Sequence, residues 1–257
     1  MQKKEMPIGF FDSGVGGLSV LRHALSELPN ESFIFYGDDL NAPYGTKSED
    51  EIKELSLACC KFLHEKGVKA IVMACNTATS ASVKMARETF GLPVISIEPA
   101  VKPAYENRKD GKILVMATPA TISQTRYKEL CRRVGCEDYV INVPCRGLAE
   151  LLENGDFDNC AVREYIYRKL EPIREEKIDG IVIGCTHYSF ISDQIKEVAS
   201  GLFGGMLAIY DGMYGTVRQL KRVLQKEDLL RQDGKQNIEF YSSKKESIAV
   251  FKKIMCM

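Results

Sequence analysis

The sequence has no excess charge, no long apolar run, no paired-cysteine metal motif and few histidines, and each absence removes a class of function. Thirty-five basic residues stand against 35 acidic ones in a chain of 257. No net field therefore draws it to nucleic acid or to an anionic membrane. Nothing approaches the roughly 18–20 apolar residues of a spanning helix. Residues 1–7 lead into no stretch long enough for a signal peptide, so a cytoplasmic protein is expected. Nine cysteines are present, yet none forms a Cys-x-x-Cys pair, and Cys59 and Cys60 fall together in a helical pattern. His23, His64 and His187 are scattered. A zinc site needs about four converging ligands, so no metal is expected. Outside one pair of motifs, the cysteines read as small buried hydrophobes of a reducing compartment. No strand or loop offers a lysine placed to anchor pyridoxal phosphate.

What the chain does have is a statement made twice. Residues 69–77 are a β-rich run ending in Cys75-Asn76-Thr77, and residues 179–187 are another ending in Cys185-Thr186-His187. The two cysteines lie 110 residues apart, each where an apolar strand gives way to a polar turn. Apolar residues make up 45% of the chain, enough for a real core in one large α/β domain or two ordinary ones.

Short β-branched runs alternate with longer amphipathic ones, the pattern of parallel sheets covered by helices. Strands are expected at residues 8–11, 33–36, 70–74 and 94–97, with helices at 18–28, 49–66 and 79–90. The order then restarts: strand 113–117, helix 123–134, strand 139–143, helix 162–177, strand 181–183. A strand at 207–210, a helix at 216–225, a strand at 238–241 and a C-terminal helix complete it. Laid together, the halves set Asp12 opposite Thr118, Cys75 opposite Cys185 and Glu98 opposite Asp211, at offsets of 106, 110 and 113. Such a repeat implies two pseudo-symmetric α/β lobes with the site in the cleft between them. The expected division is residues 1–97 with 207–257 for the first lobe and 98–206 for the second. Ligands of open parallel sheets bind beyond the carboxyl ends of the strands, where all of these matched residues fall.

The first strand runs into Asp12-Ser13-Gly14-Val15-Gly16-Gly17. Two readings stand: a tight strand-to-helix turn, or a helix N-terminus whose free N–H groups hold a small carboxylate. Asp12 would repel a phosphate there, and the glycine spacing of a dinucleotide fingerprint is incomplete. Pro43-Tyr44-Gly45-Thr46 emerges on the same sheet edge, and is an ordinary loop or part of the site. A thiol with its unperturbed pKa near 8.5 is only a few per cent ionised at neutral pH. At a helix N-terminus or beside an imidazolium the thiolate becomes available. Both cysteines precede helical patterns, and His187 is near Cys185. Two opposed thiols can then remove a proton from carbon and return one to the opposite face. Without an electron sink, the carbanion depends on preorganised donors and on exclusion of water.

The motifs together resemble the glutamate racemases: residues 11–17, 42–45, 74–78 and 184–188, in the family's order and over essentially the whole chain. The resemblance implies cofactor-independent interconversion of L- and D-glutamate for peptidoglycan, with Cys75 and Cys185 as the bases. It further implies that Asp12 tunes Cys75, and that His187 and Glu153 assist Cys185. Asp12, Ser13, Pro43, Tyr44, Gly45, Asn76, Thr77, Thr118, Thr186 and His187 are expected around the substrate, and a homodimer is the usual assembly. Three positions depart from the family's habit: Arg146 and Ser189 replace prolines, and Gly212 replaces a serine. The alternatives are an aspartate racemase of the same family, commonly with an acid in place of His187, and a non-catalytic ligand-binding module. Paired thiols at symmetric strand ends speak against the latter.

Overall fold

Strands and helices alternate along the computed structural model, which describes residues 3–257. The first half holds β1 (Ile8–Asp12), α1 (Leu18–Glu27), β2 (Ser32–Gly37), α2 (Glu49–Glu65), β3 (Ala70–Met73), α3 (Asn76–Thr89) and β4 (Val94–Ser96). After α4 (Val101–Asn107) come β5 (Lys112–Ala117), α5 (Pro119–Ser123), α6 (Thr125–Val134), β6 (Val140–Pro144), α7 (Leu148–Leu152) and α8 (Cys160–Leu170). Then follow β7 (Ile178–Ile183), α9 (Ser192–Phe203), β8 (Ala208–Asp211), α10 (Gly212–Lys226), β9 (Asn237–Ser242) and α11 (Ser247–Met255).

All strand pairings are parallel, in a five-stranded sheet of order β4-β3-β1-β2-β9 and a four-stranded sheet of order β6-β5-β7-β8. All five residues of β1 are buried, as expected of a central strand covered on both faces. In the first sheet the chain steps from β1 to β2 on one side and returns to β3 on the other. The second sheet repeats this with β5, β6 and β7. Each sheet therefore has a switch point, between β1 and β3 and between β5 and β7, where a crevice opens beyond the strand ends. Cys75 follows β3 and Cys185 follows β7, so both thiols stand at switch points.

The expected return to the first lobe at residue 207 is corrected by the pairing of β8. Ile209, Tyr210 and Asp211 pair with Ile181, Val182 and Ile183 of β7, so this strand belongs to the second sheet. The repeat had already matched Glu98 after β4 to Asp211 at the end of β8. The lobe boundary misread it because a short edge strand carries no sign of which sheet it joins. The chain crosses back only at Asp211–Gly212. There Gly212 lies against the other crossing segment, and a Cβ on it would overlap the Glu98 carbonyl oxygen.

Two helix expectations change as well. The run at 123–134 breaks at Gln124, whose extended backbone (ψ 142°) separates α5 from α6. The helix expected to reach residue 177 ends at Leu170, ahead of a 3-10 turn containing Pro172, which has no N–H to extend the ladder. The largest apolar cluster runs through both lobes, joining Val15, Leu18 and Leu21 to Leu148, Leu152 and Tyr188. The lobes thus meet across apolar packing, and the cleft lies at one edge of it.

Candidate active site

Cys75 is held by the start of α3. Its sulfur is the N-cap acceptor, taking the Ala78 N–H at 3.4 Å, and it lies 3.4 Å from Ser13 Oγ. The helix begins at Asn76 rather than at residue 79, which places the thiol on the helix N-terminus directly. Burial, together with the charge of Asp12, nonetheless pushes the Cys75 thiol up to about 12, with Ser13 and Ala78 acting the other way. In this closed geometry Cys75 is a protonated thiol.

Cys185 is built differently. No α-helix starts there; a 3-10 turn, Thr186–Ile191, follows instead, and the sulfur caps nothing. Its neighbour is His187, whose Nδ1 lies 3.7 Å from the sulfur and whose Nε2 lies 2.7 Å from Glu153 Oε1. Burial would lower the imidazole pKa, but the Glu153 carboxylate and Cys185 together hold it well above the ordinary histidine value. The other Glu153 oxygen accepts the Val15 N–H at 3.3 Å, so this second-lobe side chain also touches the turn before α1.

Asp12 is fully buried beneath the cleft and does not line it. Its Oδ1 accepts the Gly14 N–H at 2.9 Å and its Oδ2 accepts the Thr186 hydroxyl at 3.0 Å. Burial raises its pKa, partly offset by His187. Each oxygen thus accepts one hydrogen bond from within the protein, and Asp12 braces the turn and Thr186 from beneath the cleft instead of lining it as expected.

The remaining expected residues gather as follows. Ser13, Asn76 and Thr77 of the first lobe face Thr118, Glu153, Thr186 and His187 of the second across one cleft. Thr77, Thr118 and Thr121 form a triangle of hydroxyls at 3.0–3.1 Å that ties α3 to α5. Asn76 Oδ1 is buried without a hydrogen-bond partner, an acceptor left open to a ligand donor. Pro43, Tyr44 and Gly45 line the rim, but the Tyr44 hydroxyl points into the first lobe and donates to Asp38 at 2.6 Å. Tyr44 is therefore a pillar of its loop, and its hydroxyl is not a substrate donor. The Tyr44–Thr46 turn packs close to Thr118, where a Cβ on Gly45 would come within 3.2 Å of the Thr118 side chain.

Reading the sequence marks Arg146 only as a departure from the family's habit, and it misses Thr121, Cys145 and Glu150. Thr118 and Thr121 stand at N-cap spacing, whereas nothing in the mixed stretch 145–150 (Cys-Arg-Gly-Leu-Ala-Glu) marks Cys145 or Glu150 for the site. As it stands the cleft holds only about 30 Å³ of open space, room for a few waters. A larger groove of about 1140 Å³ runs along the β4 and β8 edges, near Arg87, Glu98 and Tyr214, and contains no thiol. Among the described residues, no three His, Cys, Asp or Glu side chains gather in a metal-holding group. No helix among them is long and apolar enough to cross a membrane.

A family model, Asp/Glu/Hydantoin racemase, matches residues 15–220. The glutamate racemase of Clostridium perfringens is 46% identical over 249 residues, 96% of this chain and 91% of that protein. The crystal structure of a glutamate racemase isoform from Bacillus anthracis superposes with a TM-score of 0.86 at 32% identity, covering 98% of this chain and 92% of that one. A glutamate racemase from Francisella tularensis, solved in complex with D-glutamate, gives 0.85 at 28% identity, covering 99% and 95%. The chain belongs to the glutamate racemases of the Asp/Glu/hydantoin racemase family.

Proposed function

We propose that this enzyme interconverts L- and D-glutamate by proton transfer at Cα between Cys75 and Cys185, without a cofactor. The observation that carries the reading is the placement of two thiols at equivalent strand ends of two lobes, facing one cleft, each with its own polar partners. No lysine lines that cleft. Among the described residues the one lysine buried from solvent, Lys69, is at the opposite, amino-terminal end of β3 and is paired with Glu31.

One thiol must start as thiolate and the other as thiol. The thiolate takes the Cα proton, the thiol delivers its own to the opposite face, and the two sulfurs end with their protonation exchanged. The reverse reaction starts from that exchanged state, so one site serves both enantiomers. Cys75, kept protonated by burial and by Asp12, is the proton donor of the closed state. On the other side the His187–Glu153 pair supplies a positive imidazole within reach of the Cys185 sulfur. Positioned general acids and bases each contribute about 10²–10⁴-fold. The rest of the barrier falls to fixed donors around the developing negative charge.

Ser13, Thr77 and Thr118 are the hydroxyls available to the substrate carboxylates, the Thr186 hydroxyl being given to Asp12, and the open Asn76 Oδ1 suits the ammonium group. The nearly closed cleft admits little water, which strengthens each of these contacts. The reading carries with it a supply of D-glutamate to peptidoglycan, a cytoplasmic location and a homodimeric assembly. Circular dichroism of the purified protein with L-glutamate, D-glutamate or L-aspartate, without added pyridoxal phosphate, tests it. Loss of optical activity with both glutamates and retention with aspartate is expected. Racemisation of aspartate alone would overturn the substrate assignment.

A further inference from the structure

On the second-lobe wall of the cleft, Arg146 lies beside Cys145, in the same lining as both thiols. It is the only lysine or arginine in the lining. The other charged groups there are Glu150, Glu153 and the His187 imidazole, and Glu153 is already bound to His187 and to the Val15 N–H.

The Arg146 backbone is pinned on both sides. The Cys145 N–H donates to the Ala117 carbonyl at 2.9 Å, and the Cys145 carbonyl accepts from Tyr188 Oη at 3.0 Å. The Arg146 carbonyl accepts from Tyr165 Oη at 2.7 Å, and Gly147 follows with φ +83° to start α7. The position is fixed while the side chain is exposed at the rim. A glutamate Cα must reach two thiols that are 5% and 7% exposed. Its α-carboxylate, bonded directly to Cα, stays at the depth of the thiols, and its distal carboxylate, two methylenes away, is the one able to reach the rim. That rim carries Glu150, which repels an incoming carboxylate unless a cation offsets it, whereas Glu153 is already paired with His187.

We infer that Arg146 is a specificity-determining residue that receives the side-chain carboxylate of glutamate at the cleft rim. The inference rests on the glutamate reading above and adds to it a charge contact that the two-thiol scheme does not contain. It is a binding contact made equally before and during proton transfer, so it acts on KM and leaves kcat in place.

The experiment measures KM and kcat for both glutamate enantiomers in the wild type, Arg146→Ala, Arg146→Lys and Arg146→Glu, at low and high salt. Inhibition by L-glutamine, which lacks the distal charge, is measured alongside. Arg146→Ala is expected to raise KM about 5–20-fold with kcat within about twofold. Arg146→Lys recovers most of the loss and Arg146→Glu deepens it. Added salt raises the wild-type KM and leaves that of Arg146→Ala flat. Glutamine inhibition is unchanged in all variants. An unchanged KM in Arg146→Ala, or an equal loss of glutamate and glutamine binding, overturns the inference while the glutamate reading stands. A wild type that does not racemise glutamate overturns both.

Discussion

A buried His187 and a partly exposed Glu153 form a pair, Nε2 to Oε1 at 2.7 Å, on the Cys185 side of the cleft and nowhere on the Cys75 side. The duplicated lobes thus deliver two thiols by the same strand-end placement but equip them differently. Cys75 has a helix N-terminus, Ser13 and, beneath it, Asp12, while Cys185 has an imidazole steadied by a carboxylate.

Replacing Glu153 by Gln removes the charge that holds the His187 pKa up. The imidazole should then titrate at lower pH, and kcat at neutral pH should fall about 10–100-fold. NMR titration of the His187 ring and the pH–rate profile check this together. A lowered His187 pKa with unchanged kcat would show that the pair is structural only.

Cys75→Ala and Cys185→Ala should each abolish racemisation, by about 10³-fold or more, because neither thiol can serve both faces of Cα. Polarimetry on the folded variants measures it. Near-full activity in either one would rule out the two-base scheme.

Lys69 and Glu31 are buried partners at 2.5 Å. Lys69 Nζ also donates to the carbonyls of Lys4 and Leu229, and Glu31 Oε1 accepts the Arg231 N–H. The pair ties the start of β3 to the segment leading into β9. Lys69→Met leaves a buried carboxylate unpaired and should cost about 3–5 kcal/mol in urea unfolding. Adding Glu31→Leu should recover only part of this, since the backbone groups remain without partners.

Asp39, at the end of β2, is pushed by burial to a pKa of about 6 despite a hydrogen bond from Ser242, with Glu153 and Asp12 adding repulsion. A carboxyl whose folded pKa is raised binds its proton more tightly in the folded state. Its contribution to stability is therefore present at low pH and lost as pH rises from about 4 through about 6. Asp39→Asn should raise the melting temperature at pH ~7 and flatten this part of the pH–stability curve. A parallel pH dependence in variant and wild type would count against it.

Gly212 sits where the two crossing segments touch, and a side chain there meets the Glu98 carbonyl. Gly212→Ala should cost about 1–3 kcal/mol as an overpacked contact, read as a lowered denaturation midpoint. Because this contact joins the lobes, the KM for glutamate should change as well. An unaltered midpoint and KM would show that the crossing segments shift freely.

Much of the fold was legible because burial leaves a periodic trace. Strands such as β1 and β7 are short apolar runs, and the helix expected at 49–66 is α2 (Glu49–Glu65) to within one residue. Side-chain direction leaves no such trace. Tyr44 lies in a motif shared with the family, yet its hydroxyl turns inward to Asp38. Asp12 ends a strand at the site, yet it lies beneath the cleft and each of its oxygens accepts a hydrogen bond from within the protein.

The sequence by itself determined the duplicated α/β scaffold and the two cysteines, because hydrophobic periodicity and strand-end chemistry are local properties. Tertiary structure alone decided which sheet β8 joins, that Cys75 caps a helix while Cys185 does not, and that Arg146 shares the cleft with both thiols. Those relations depend on strand pairing and on contacts between residues far apart in the chain, and no local pattern encodes them.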